Sequence, residues 1–179
     1  SKNKNPRFAY IAPTFKQAKS IAWDYMKQFC EKIVGTKFNE TELRADLPNG
    51  ARITLLGSEN CDGLRGIYLD GCVIDEYANV NERLFPEIIR PALSDRKGYC
   101  VFIGTPQGMN NNFYELYQHA QSAEDWFQYK AKASDTGIVD PDELDKAKQV
   151  MGDNKFKQEF ECDWIANIEG AIYGTQIAE

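Results

Sequence analysis

Two adjacent acidic residues, Asp75 and Glu76, follow a short stretch of small and apolar residues at positions 71–74. Such a stretch crosses a hydrophobic core as a buried strand, so the two acids should lie where the strand reaches the surface. In nucleotide hydrolases an Asp at this point holds Mg²⁺, usually through water, and the next Glu polarises the attacking water. The competing interpretation is a solvated strand end with two surface acids.

A second apolar run, at 101–103, ends in Gly104, Thr105, Pro106 and Gln107. If this run is a neighbouring strand, Thr105 and Gln107 could lie near a γ-phosphate and sense its hydrolysis. Taken alone, the pattern is more typical of a plain strand-to-helix turn built with Gly and Pro.

Basic residues suggest two further contacts. Arg65 lies between Gly63 and Gly66 in a polar loop, where a guanidinium could stabilise a transferring phosphoryl group or bind a DNA phosphate. A surface arginine in a turn explains the same pattern.

A predicted strand-to-helix junction follows the first apolar run and contains Thr14, Lys16 and Lys19. Hydroxyl, ammonium and backbone N–H groups there could bind a DNA phosphate, although this pattern alone is weak.

The elements that would position these residues alternate between strands and helices. Strands are predicted at 8–12, 71–74, 99–103 and 126–131, a hairpin at 43–56, and helices at 15–34, 82–93, 112–123, 141–152 and 154–163. Buried strands alternating with helices predict an α/β fold with a mostly parallel sheet. Ligands bind at the carboxyl ends of the strands in such sheets.

The bulk composition restricts the class of protein. The chain has 179 residues, 42% of them hydrophobic, and a formal net charge of −6, which argues against a strongly basic protein that coats nucleic acid. No apolar run approaches the ~20 residues of a membrane span. Five scattered cysteines without a CxxC spacing predict neither a zinc site nor a disulfide framework, and favour a reducing cytoplasm.

Taken in order, these motifs resemble the large terminase subunit of tailed bacteriophages, the ATPase–nuclease that pumps DNA into procapsids. The resemblance runs from Arg7 to Gly174. Residues 12–14 are similar to the family's helicase-type segment, residues 64–66 and 73–76 to its Walker B region with the preceding arginine, and residues 104–106 to its coupling motif. Residues 160–164 and 170–174 resemble the stretch that joins the ATPase to the nuclease domain.

The resemblance implies a RecA-like P-loop ATPase core with three α/β/α layers. Residues 1–165 would be the downstream part of that core, and residues 166–179 a linker towards a nuclease domain. It also implies ATP and Mg²⁺ as cofactors, Asp75 as the metal residue, Glu76 as the catalytic base, Thr105 as the coupling residue and Arg65 as a finger for a neighbouring subunit's ATP. The implied partners are double-stranded DNA, a portal protein, a small terminase subunit and further copies in a ring, in the cytoplasm of the bacterial host.

One part of the family pattern does not occur in the sequence. The phosphate loop GxxxxGK[ST] should precede the strand at residues 8–12, and no such motif is present. The nuclease acids should follow Glu179. We therefore expect an N-terminally incomplete ATPase core, inactive by itself and active in a longer protein. Two alternatives remain: a helicase-like DNA translocase, and a DNA-binding or assembly module that does not hydrolyse ATP.

Overall fold

A computed structural model describes residues 4–166 of the chain. They form two compact units, Ser1–Gly104 and Thr105–Glu179, as far as these are described. The first unit contains a six-stranded sheet, and the second contains helices. The predicted core of residues 1–165 spans both units, and the predicted linker lies almost entirely outside the described residues, so that boundary stays a prediction.

The sheet has the strand order β2-β3-β4-β1-β5-β6. Strands β4, β1, β5 and β6 run parallel, whereas β2 and β3 add an antiparallel edge next to β4. The mostly parallel α/β sheet is therefore confirmed. The strands are β1 Arg7–Ala12, β2 Lys37–Asn39, β3 Arg44–Asp46, β4 Arg52–Gly57, β5 Gly71–Ile74 and β6 Tyr99–Phe102.

One face of the sheet is covered by the segment that follows β1. Helix α1 (Phe15–Ala18) continues through a π-helical turn, Lys19–Trp23, into α2 (Asp24–Cys30). Trp23, only 2% exposed, packs in a core that includes Ala12 of β1 and Leu55 of β4. The helix ends at Cys30, four residues before the predicted end at position 34.

The other face is covered by a helical segment that starts after β5. It consists of a π-helical stretch, Leu84–Ile89, followed by α3 (Arg90–Ser94). The ring of Phe85 packs edge-on against Phe102 of β6, with 4.7 Å between centroids. Phe102 on β6 is paired with Ile74 on β5, and both point to the face covered by the helical segment after β5. Ala12 on β1 points to the opposite face, where α1 and α2 pack. Helices therefore lie on both faces of the sheet. The three layers predicted for this fold are therefore present.

The second unit was predicted less accurately. Its helices are α4 (Asn112–Ala120), α5 (Ala133–Thr136), α6 (Pro141–Met151) and α7 (Asp153–Glu161). The Asp140 side chain accepts the Asp142 N–H at 2.9 Å and so begins α6, as the sequence predicts. The strand predicted at residues 126–131 is wrong: this segment has no regular secondary structure and leads directly into α5.

Central strand β1 should be sensitive to loss of packing. Ile11 is 0% exposed, whereas Ile21, in the π-helical turn, is 44% exposed. We expect Ile11→Ala to lower the free energy of unfolding by about 2–5 kcal/mol, because it removes buried methyl groups and leaves a cavity. Ile21→Ala, the same substitution at an exposed position, should change it by less than about 0.5 kcal/mol. Urea unfolding of both variants, followed by circular dichroism, would test this, and equal losses would contradict it.

Candidate nucleotide-hydrolysis site

Asp75 and Glu76 lie at the carboxyl edge of the sheet, directly after β5. Strand β5 runs between β1 and β6, and its last residue, Ile74, is 0% exposed. The Asp75 N–H donates to the Ile11 carbonyl at 2.8 Å, and the Tyr77 N–H donates to the Ile103 carbonyl at 3.1 Å. The chain thus remains tied to both neighbouring strands as it passes through the two acids. Both side chains are half-buried at this edge.

The Asp75 carboxylate has a hydrogen-bond donor at each oxygen. Oδ1 accepts the backbone N–H of Glu76 at 2.9 Å, and Oδ2 accepts the phenolic O–H of Tyr10. Burial, followed by the hydrogen bond to Asp75 and the negative charge of both acids, raises the pKa of the Tyr10 phenol. Tyr10 is therefore protonated, and able to donate, at neutral pH.

Glu76 has an uncommon backbone conformation. Its φ of 50° and ψ of 45° lie in the left-handed region, which is unfavourable for residues other than glycine. Such residues persist where the surrounding structure holds them, and they cluster at functional sites. Here the conformation turns the chain from β5 into a short 3₁₀ turn, Tyr77–Asn79. It thereby fixes the direction in which Glu76 leaves the sheet.

The structure places Arg65 in a network of ion pairs. Its guanidinium donates to Asp62 at 3.1 Å and to Glu87 at 2.9 Å. Arg83 donates to the same two carboxylates, with distances from 3.0 to 3.3 Å. Hydrogen bonds from both arginines lower the pKa of the Asp62 carboxyl and that of the Glu87 carboxyl. The hydrogen bond from Arg65 has the larger effect at Asp62, and the hydrogen bond from Arg83 has the larger effect at Glu87. Neither Asp75 nor Glu76 is among these partners of Arg65.

Arg65 also lies beside an open groove of about 360 Å³ between its own loop and the helical segment that follows. Gly66, which follows Arg65, has a φ of +86°, in the region that favours glycine. The lining of this groove does not include Asp75 or Glu76. Arg65 therefore contributes to a groove that the two acids do not line.

Groups after β1 that were predicted to bind a DNA phosphate already form hydrogen bonds within the chain. The Phe15 N–H, at the start of α1, donates to the Glu59 carboxylate at 2.8 Å, and the Thr14 hydroxyl accepts the Gln17 N–H at 3.2 Å. Lys16 and Lys19 are exposed. Glu59 brings negative charge to this helix start, which makes it a poorer site for a DNA phosphate than its sequence suggests. The three DNA contacts stay predictions.

Thr105 and Gln107 begin the second unit, so their position relative to the carboxylates stays a prediction. Within that unit the Asn111 side chain donates to the Gln107 carbonyl at 3.1 Å. The same side chain accepts the N–H groups of Phe113 and Tyr114 at the start of α4. The loop after Thr105 is thus attached to the beginning of a helix.

Three structural roles were missed in the sequence. They are the Tyr10 contact to Asp75, the Glu59 contact to the start of α1, and the pairing of Asp70 with Arg96 at 3.2 Å on the amino edge of the sheet. Tyr10 carried a usable signal, because the hydroxyl of a tyrosine within a core strand usually finds a partner. The partner itself depends on the strand order, which the sequence does not reveal.

Together, the mostly parallel sheet and the acidic pair at the carboxyl end of an inner strand are consistent with an α/β domain of the RecA-like class. The family model "Terminase large subunit, T4likevirus-type, N-terminal" matches residues 3–178. The chain belongs to this family.

Relatives and solved structures agree with this assignment. The terminase large subunit of Escherichia phage T5 is 26% identical over 177 residues, which cover 96% of this chain and 40% of that protein. The large terminase ATPase domain of Thermus phage P74-26 superimposes with a TM-score of 0.76 at 21% identity, over 90% of this chain and 78% of that domain. A large terminase from a thermophilic bacteriophage, in complex with ADP, gives 0.75 at 15% identity, over 91% and 42%. The chain thus spans less than half of the T5 protein.

None of the helices in residues 4–166 combines the length and apolar character needed to cross a membrane.

Proposed function

We propose that this chain is part of an ATP-hydrolysing motor that moves double-stranded DNA into a phage procapsid. The observation that carries the proposal is the Asp75–Glu76 pair, held at the carboxyl end of β5 in a member of the terminase family. The ADP complex of the thermophilic phage terminase supports nucleotide as the ligand class. The portal protein, the small terminase subunit, a ring of copies and the host cytoplasm belong to the same proposal.

The carboxylate oxygens at this edge of the sheet are suitable ligands for Mg²⁺. Within residues 4–166 no group of three or more His, Cys, Asp or Glu side chains is placed to hold a metal. Mg²⁺ in phosphoryl-transfer sites is typically bound by one or two carboxylates together with water and substrate phosphates. Asp75 meets that requirement as a single carboxylate with fixed orientation. The bound metal would supply positive charge that orients the phosphates and offsets their negative charge.

Each acid has a separate role in the proposed reaction. Asp75, with both oxygens already oriented, would accept hydrogen bonds from the water ligands of the metal. Glu76, aimed by its left-handed backbone, would orient the attacking water and accept its proton. Thr105 and Gln107 would report the state of the γ-phosphate to the rest of the domain. The contacts of a phosphate loop would come from a longer protein, since this sequence contains no such loop.

The 179-residue chain alone should hydrolyse ATP at the background rate. Most contacts to the triphosphate belong to the phosphate loop, so the two carboxylates have no firmly held substrate to act on. Phosphate release can be measured with Mg²⁺ and double-stranded DNA for this chain and for a longer terminase that includes the loop. The longer protein should turn over ATP and package DNA.

Two outcomes would contradict the proposal. Robust turnover by the short chain that depends on Glu76 would mean that the phosphate contacts lie within this sequence. Absence of turnover in the longer protein, with or without DNA, would favour the assembly-module alternative.

A further inference from the structure

Tyr10 is placed beside Asp75 by the register of two central strands. Tyr10 on β1 pairs with Val73 on β5, and Asp75 lies two residues further along the same face. The phenolic O–H therefore reaches Asp75 Oδ2, where it donates a hydrogen bond. Asp75 is also held in place, because its backbone N–H donates to the carbonyl of Ile11, the residue after Tyr10.

The contact with Tyr10 completes the orientation of the carboxylate. Oδ1 is bound by the Glu76 N–H at 2.9 Å, so the two donors together fix the torsion of the Asp75 side chain. A carboxylate has about four lone-pair positions, and these two donors leave positions for the water ligands of a metal. Because Oδ1 is joined to the backbone of Glu76, a rotated Asp75 would also disturb the residue proposed as the base.

We propose that Tyr10 is a positioning residue that orients Asp75 for Mg²⁺, an inference that rests on the proposed function. In this role Tyr10 would act through its hydrogen bond to Asp75, and not on the metal or the substrate directly. Hydrogen-bond partners of metal-binding side chains typically change metal affinity by roughly 10–100-fold when they are removed. The ring of Tyr10 also packs against the core beneath α1 and α2, and Phe, which keeps the ring, should retain this packing.

The test uses Tyr10→Phe in a longer terminase that carries the phosphate loop. Binding of a fluorescent, non-hydrolysable ATP analogue is titrated with Mg²⁺, and the half-saturating Mg²⁺ concentration is compared with that of the unaltered protein. We expect it to rise by roughly 10-fold or more, with analogue binding in EDTA unchanged. Tyr25→Phe is the matched control, because Tyr25 is 64% exposed on α2; it should leave the half-saturating concentration unchanged.

A second comparison separates positioning from packing. In an Asp75→Asn background the Tyr10→Phe substitution should add no further shift in Mg²⁺ dependence, whereas a packing defect would act equally in both backgrounds. Melting curves of all variants ensure that folded protein is compared. An unchanged half-saturating concentration in Tyr10→Phe, or an equal shift in both backgrounds, overturns the inference. If the unaltered protein itself binds the analogue without any Mg²⁺ dependence, the proposed function fails instead.

Discussion

Glu76→Gln, in a longer terminase that carries the phosphate loop, should reduce ATP turnover by roughly 10²–10⁴-fold, the usual contribution of a general base. The amide has nearly the same shape as the carboxylate and can still form hydrogen bonds, but it cannot accept a proton from water. ATP binding should remain nearly intact. Steady-state phosphate release together with equilibrium nucleotide binding measures both quantities.

The geometry at Glu76 makes Gln a clean substitution. The left-handed backbone at this residue is imposed by its surroundings, including the Glu76 N–H bond to Asp75 and the Tyr77 N–H bond to Ile103. Gln and Glu experience the same backbone strain there, so the change isolates the chemistry of the side chain. By contrast, Asp75→Asn should mainly weaken Mg²⁺-dependent nucleotide binding, because a neutral amide attracts the hydrated cation less strongly.

Glu82→Gln serves as the matched control, since Glu82 is an exposed acid shortly after the site. It should have the turnover of the unaltered protein. Unaltered turnover in Glu76→Gln would remove Glu76 from the catalytic role, and loss of nucleotide binding in that variant would mean that Glu76 acts on the metal instead.

The parallel part of the fold could be predicted because its strands are short apolar runs, with β1 and β5 inside the sheet and β6 at its edge. Strands β1, β5 and β6 appear in the sequence as short apolar runs ending at Gly, Pro or acidic residues, and all three are present within a residue or two of the predicted limits. The β3–β4 hairpin was evident from its Pro-Asn-Gly turn. The inner strands β1 and β5 need apolar side chains on both faces, which leaves a clear pattern in the sequence.

The edge strand β2 and the second unit left weaker patterns in the sequence. Strand β2 is three residues long and lies at the sheet edge, so few of its side chains need to be apolar. The run at residues 126–131 contains Trp126, Phe127 and Tyr129, whose high strand propensity favoured a strand. Phe127 is 87% exposed and Tyr129 is 72% exposed, so these aromatic side chains do not lie in the core of the second unit. Propensity without burial was a misleading guide there.

The candidate site could be predicted only where its residues are adjacent in sequence. Asp75 and Glu76 are neighbours after a strand, and the carboxyl edge follows from the parallel sheet. The Tyr10 contact depends on β1 lying next to β5, which joins residues 65 positions apart. The partners of Arg65 depend on the packing of a loop against the helical segment after β5. Neither arrangement leaves a local pattern in the sequence.

The half-exposed ion pairs of Arg65 would allow its side chain to move. Its ion pairs with Asp62 and Glu87 are half-exposed, and exposed pairs contribute little because water and salt screen them. Arg83 pairs with the same two carboxylates and would compensate their charge if Arg65 left. Arg65 could therefore leave this network to reach a phosphate on a neighbouring molecule at small cost.

If Arg65 acts on a neighbouring subunit's ATP, Arg65→Ala in the longer protein should bind ATP normally but hydrolyse it roughly 10³–10⁵-fold more slowly, the range known for arginine fingers. Arg83→Ala is the matched control. Its side chain has the same 50% exposure and the same carboxylate partners, so it reproduces the loss of ion pairing without removing the finger. Its turnover should stay close to that of the unaltered protein.

Mixing variants separates a finger from a DNA contact. An Arg65→Ala subunit keeps an intact Glu76, and a Glu76→Gln subunit keeps an intact Arg65. A ring containing both can therefore assemble complete sites at their interfaces, and some activity should return on mixing. A DNA-phosphate contact predicts a different result: weaker and less salt-sensitive DNA binding, with basal hydrolysis unchanged. Normal basal turnover in Arg65→Ala, without a gain on mixing, would exclude the finger. Equal loss in Arg65→Ala and Arg83→Ala would assign the effect to the ion-pair network, because the two variants share only that defect.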